Sequence, residues 1–215
     1  MADFGMSDLR NIRHLQIQHP TSKLYFCTMK ILMVCLGNIC RSPLAEGVLQ
    51  HKTKAAGLDW IVDSAGTGGH NPGCAPHHLS QKVAKHYGIN ISHHQCRQFL
   101  KEDMDRFDKI YVMDQDNYDE VKRIAGNKWN AAKVDFLLNE IYPGQNKDIF
   151  DPWYGGVEGF YEVYEMIEKA CEAVVGRYIS QANQQEDFWE FTDKLAKKAE
   201  ANGLTEDILK DILDE

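Results

Sequence analysis

Ile31-Leu32-Met33-Val34-Cys35-Leu36-Gly37-Asn38-Ile39-Cys40-Arg41-Ser42-Pro43 is the stretch on which the reading of this chain turns. Its apolar opening, bounded by a glycine-containing segment, reads as a buried strand. Pro43 reads as a helix start, since the first helical turn has N–H groups without intrahelical partners and tolerates proline. A strand, a tight loop and a helix N-terminus in succession bring backbone N–H groups and the positive end of a helix dipole to one point. Arg41 adds a planar, two-pronged donor suited to phosphate oxygens. The field that holds a dianion also favours thiolate over thiol, so Cys35 reads as a nucleophile in its own anion cradle.

Working outward, a helix is expected from Leu44 to Ala56, ending near Gly57. A second strand is expected at Trp60 to Asp63, and a helix from Pro76 to His86 stopped by Gly88. Lys109 to Met113 reads as another buried strand, followed by a helix over Asp116 to Ala125 and a short strand at Val134 to Leu137. From Val157 onward, Phe160, Val163, Ile167, Ala170, Cys171, Val174 and Tyr178 recur at helical spacing, as in a long helix packed on a sheet. This alternation predicts the α/β class: a single doubly wound parallel sheet of about four strands with helices on both faces. Ligands in such sheets bind beyond the carboxyl ends of the strands, where Cys35 falls.

Three segments are expected. Residues 1–29 are polar and aperiodic and read as a disordered N-terminal extension. Residues 30–180 form the compact domain. Residues 181–215 read as an acidic, helical C-terminal tail, with ten acidic residues against four lysines. Within it, Gln181 to Glu186 reads as a linker. Phe188, Phe191, Leu195 and Ala199 suggest one amphipathic helix stopped near Gly203, and Ile208, Leu209, Ile212 and Leu213 a second, capped by Thr205. Short amphipathic helices need a partner surface, either the domain itself or another protein.

The formal charge of −8 argues against a general nucleic-acid binder, and no apolar run is long enough to span a membrane. The six cysteines form no C-x-x-C pair, and there is no H-E-x-x-H, so neither metal nor cofactor is expected. The N-terminus does not read as a secretory signal; a reducing cytoplasm with free thiols is expected. The Gly66, Gly68, Gly69 cluster lacks a full dinucleotide fingerprint. His77 and His78 read as helix-surface residues, and Cys74 and Cys171 as structural. Cys96, near His94, is placed at the rim of the site.

Phosphoryl transfer to sulfur also needs an acid for the leaving group. Asp151-Pro152-Trp153-Tyr154 is the best candidate: proline holds Asp151 extended, Gly155 and Gly156 free the backbone after it, and two aromatics wall a pocket.

The segments VCLGNICRSPLAE (Val34 to Glu46), VDSAGT (Val62 to Thr67), VMDQDN (Val112 to Asn117) and DPWYGG (Asp151 to Gly156) together resemble the low-molecular-weight protein tyrosine phosphatase family over residues 30 to about 180. The resemblance implies a protein tyrosine phosphatase. In it Cys35 forms a cysteinyl-phosphate, Arg41 clamps the equatorial oxygens, and Asp151 acts as general acid and then base. It further implies that residues Leu36, Gly37, Asn38, Ile39, Cys40 and Arg41 wrap the phosphate. Ser42 bonds the Cys35 sulfur, Asn38 holds the loop in a left-handed conformation, and His94 supports that network. Leu36, Ile39, Trp153 and Tyr154 line the entrance, and Asp114 lies nearby. Cys40 reads either as a packing residue or as a redox partner that protects Cys35. The implied partners are a tyrosine-phosphorylated protein, among them a bacterial tyrosine kinase, with inorganic phosphate as product.

Three alternatives accompany this reading. A thiol-dependent arsenate reductase would need a relay cysteine after the strand Ile110 to Asp114, where none stands. A protein-arginine phosphatase resembles this loop but carries threonine where Ile39 stands. A docking module would rest on the tail.

Overall fold

The computed structural model describes residues 28–201. Its centre is strand β1 (Lys30–Cys35), whose run of apolar residues is buried on both faces. Strand β2 (Ile61–Gly66) pairs with one edge of β1 and β3 (Lys109–Val112) with the other. Strand β4 (Val134–Phe136) pairs with β3, so all pairings are parallel and the order is β2-β1-β3-β4. Parallel strands need crossovers, and helices supply them on both sides of the sheet.

Alternation along β1 divides the core. Ile31, Met33 and Cys35 face the layer built from α1 (Arg41–Ala55), α2 (His78–His86) and α5 (Gly156–Ala201). Leu32 and Val34 face the layer of α3 (Asp103–Arg106) and α4 (Gln115–Ala125), with Phe99 and Phe107. Helix α5 carries Phe160, Val163, Ile167, Ala170, Cys171 and Val174 into the first layer, at the spacing read from the sequence. A partly buried cluster secures it: Tyr111 donates to Glu140 at 2.6 Å, and Arg177 reaches both, at 3.1 and 2.8 Å.

The α/β sheet and the phosphate-loop position agree with expectation, and several boundaries differ. Helix α1 begins at Arg41 rather than Leu44, because Arg41, Ser42 and Pro43 already form its first turn. Strand β2 runs on to Gly66, since Ser64, Ala65 and Gly66 continue the pairing with Met33, Val34 and Cys35, and Gly66 fits tightly beneath the loop after β1. The expected linker at Gln181 to Glu186 is instead helical: α5 is continuous for 46 residues and carries exposed Phe191 and Leu195 on its far part. The tail helix expected around Ile208 to Leu213, and nearly all of the N-terminal extension, lie outside the described residues.

Candidate active site

The loop from Cys35 to Cys40 has every one of its carbonyls held from outside. Cys35 O accepts from Thr67 N at 2.9 Å, Leu36 O from Gly68 N at 2.8 Å, and Ile39 O from His77 N at 2.7 Å. Gly37 O accepts from Asn71 Nδ2 at 3.2 Å, Asn38 O from Cys96 Sγ at 2.6 Å, and Cys40 O from Ser80 Oγ at 3.2 Å. A trans peptide places N–H opposite C=O, so fixing these oxygens outward aims the N–H groups of the following residues inward. Among the described residues, the N–H groups of Gly37, Asn38, Ile39 and Cys40 have no protein acceptor, and no side chain caps α1. The result is a backbone nest at a helix N-terminus, an anion site by construction.

Two backbone features permit the turn. Asn38 has φ 52°, in the left-handed region that asparagine tolerates. Gly66 lies so close underneath that a Cβ there would sit 2.8 Å from Leu36 O and 3.0 Å from Asn38 N.

Cys35 is buried, with its Sγ 3.0 Å from Ser42 Oγ. Ser42 is fixed in turn by Asn38 Nδ2 at 2.9 Å, which also donates to Ser64 Oγ at 2.8 Å. Ser64 donates to Glu46 Oε2 at 2.7 Å, and His94 places Nδ1 3.0 Å from Glu46 and Nε2 3.2 Å from Asn38 Oδ1. Arg97 N–H donates to that same Oδ1 at 2.9 Å. Asn38, Ser42 and His94 thus lie together as expected. Ser64, Glu46 and Arg97 complete the network and were not anticipated. The available signal was Glu46, one helical turn after Ser42, because a buried carboxylate needs a partner.

Arg41 is buried and spans the mouth. One terminal nitrogen donates to Asp114 and, at 3.0 Å, to Ile149 O; the other donates to Asp151 Oδ2 at 3.0 Å. Its Nε is buried without a partner. Burial opposes the guanidinium's charge, but Cys35, Asp114 and Asp151 outweigh it and the net shift is upward. Asp114 also caps α4 through Asn117 N at 2.7 Å, which fixes its orientation. Asp151 accepts from Trp153 N at 3.1 Å and opens a short 3-10 turn over Pro152–Tyr154. Leu36 and Trp153 are exposed, at 51% and 52%, and Ile39 is half-buried and packed against the core.

His77 is a correction. It is not a helix-surface residue: its ring stacks on Phe160 with centroids 5.2 Å apart, lies 5.2 Å from Trp153, and caps α2 through Leu79 N. Cys96 is another, lying behind the loop and bonded to it rather than on the rim. Cys40 is buried, and burial, then Cys35 and Asp151, push its thiol up to about 12. Among the described residues, no group of three or more His, Cys, Asp or Glu could hold a metal ion.

The profile of the family described as low molecular weight phosphotyrosine protein phosphatase matches residues 30–187. The chain belongs to this family. The low-molecular-weight protein-tyrosine-phosphatase YfkJ of Bacillus subtilis is 36% identical over 149 residues, covering 68% of this chain and 94% of that protein. The human low-molecular-weight phosphotyrosine protein phosphatase is 39% identical over 149 residues, 68% of this chain and 93% of its own. The crystal structure of YfkJ superposes with a TM-score of 0.66 over 72% of this chain and 96% of that one. A Drosophila arginine phosphatase, 34% identical, superposes with a TM-score of 0.65 over 70% and 98%. The family match ends at residue 187, and the far part of α5 lies beyond it.

Proposed function

We propose that the chain hydrolyses phosphotyrosine, an aryl phosphate monoester, through a cysteinyl-phosphate on Cys35. What supports this most is the loop whose outer carbonyls are all tied, with Cys35 Sγ at its floor and Arg41 linking it to Asp151. In the first step the Cys35 sulfur attacks phosphorus and the bond to the aryl oxygen breaks. Asp151 gives that oxygen its proton. In the second step water attacks phosphorus, Asp151 takes the water's proton, and the S–P bond breaks. Ser42 stabilises the departing sulfur. The inward N–H groups and Arg41 hold the equatorial oxygens, where transition-state charge collects.

Trp153, exposed two residues after Asp151, and aliphatic Ile39 in the loop would offer a leaving group apolar surface, which suits a phenyl ring. The resemblance to an arginine phosphatase makes phosphoarginine the competing substrate. The threonine expected for that chemistry is replaced by Ile39. Arsenate reduction is disfavoured because β3 is followed by Met113 and Asp114, not cysteine. We place the enzyme in the cytoplasm; among the described residues no helix is long and apolar enough to cross a membrane.

The test is turnover of aryl phosphates of graded leaving-group pKa, with phosphotyrosine and phosphoarginine peptides alongside. Cys35→Ser is expected to abolish hydrolysis. Asp151→Asn should slow poor leaving groups by about 10²–10⁴-fold and good ones far less. Equal loss across the series would remove Asp151 from the acid role, and faster phosphoarginine turnover would reverse the substrate assignment.

A further inference from the structure

Gly73 N donates to Cys96 O at 2.7 Å, and Cys96 N donates to Cys74 O at 2.9 Å. Gly73 has φ 75°. This is the pattern of a glycine-first β-bulge, in which Gly73 and Cys74 together oppose Cys96 across an antiparallel pair. Opposed residues in such pairs lie about 4.5–5.5 Å apart, inside the Cα range of about 4.4–6.8 Å that a disulfide spans. Cys74 is exposed and Cys96 buried, both as free thiols. A cavity of about 110 Å³, lined by Gly37, Asn71, Pro72 and Cys96 among others, reaches the Cys96 side of the pair. Burial, then Cys74 and Cys35, push the Cys96 thiol up to about 11, so it stays protonated and donates to Asn38 O.

That bond is one of the six that fix the loop's carbonyls, and it holds the peptide unit that carries the Ile39 N–H. We propose that peroxide drives a reversible disulfide between Cys74 and Cys96, and that this bond weakens anion binding by the Cys35 loop. The second half rests on that loop being the phosphate cradle. Cys74 reacts first: its sulfur attacks a peroxide oxygen, the O–O bond breaks, and a sulfenic acid and water result. The Cys96 sulfur then attacks Cys74 sulfur, the S–O bond breaks, and hydroxide leaves with the Cys96 proton as water. Two thiols lose two electrons and one peroxide gains them. Cys96 can no longer donate to Asn38 O, and the peptide is free to turn its N–H away from the anion.

The experiment uses the full chain carrying Cys35→Ser, which removes oxidation of the nucleophile from the readout. After peroxide, peptide mapping should recover Cys74 linked to Cys96, and dithiothreitol should release it. Calorimetry with inorganic phosphate should show affinity about fivefold weaker after oxidation, the worth of one hydrogen bond. The same protein with Cys74→Ser added should show neither change. Recovery of Cys96 as a free thiol, or linked to Cys40, overturns the disulfide. A disulfide with phosphate affinity unchanged within twofold overturns the coupling. If the reduced protein binds no phosphate, the cradle reading falls and the coupling with it, while the mapping still decides the crosslink.

Discussion

Asn38 concentrates the demands of the site in one side chain. It sits in a left-handed conformation, donates to Ser42 and Ser64, and accepts from Arg97. Alanine would strand buried partners and keep the strained backbone, each worth roughly 1–2 kcal/mol. Asn38→Ala is therefore expected to lower unfolding free energy by about 2–4 kcal/mol in urea titration. Asn38→Gly should recover about 1 kcal/mol of that loss, because glycine removes only the conformational part. The residue types at the site were legible because thiol, guanidinium and carboxylate each have few uses in such a pattern. The carbonyl partners were not. They come from Thr67, Gly68, Asn71, His77, Ser80 and Cys96, which are scattered along the chain and share no spacing.

At the scale of elements, β1 and β3 were readable because burial on both faces leaves an unbroken apolar run. The end of β2 was not, since Ser64 serves the hydrogen-bond network with Asn38 and Glu46 and Gly66 is set by the room beneath the loop, neither by hydrophobicity. Helix α3 has four residues, too few for a periodic signal. Helix α2 depends on its cap. His77 Nδ1 accepts from Leu79 N at 3.3 Å, which requires that nitrogen to be unprotonated. Burial, then His78, lower the His77 pKa from its ordinary 6.5. Between the folded and unfolded values the unfolded chain binds more protons, so stability rises with pH there. The contribution is complete above about pH 6.5 and is lost as pH falls through the folded value. Urea midpoints measured from pH 7.5 to 5 should fall for the wild type, and His77→Asn should flatten part of that slope.

For the whole molecule, the buried core of α5 ends at Val175, with Tyr178 and Ile179 packed at its margin. The family match ends at residue 187. A chain ending at residue 187 is expected to keep its kcat/KM on aryl phosphates and to shift its Tm by less than about 2 °C, the scale of surface changes in a domain this size. A larger fall in Tm would mean that the remainder folds onto the domain. The linker expectation failed because a glutamine-rich segment is as compatible with helix as with coil, and the preceding helix simply propagates through it.

The length of α5 also sets a limit of reach. At about 1.5 Å per residue, its 46 residues span roughly 69 Å, and its first turn follows directly on the Asp151 turn at the mouth. Exposed Phe191 and Leu195 thus stand roughly 50–60 Å along the helix from that mouth, so substitutions at either are expected to leave aryl-phosphate turnover by their own molecule unchanged.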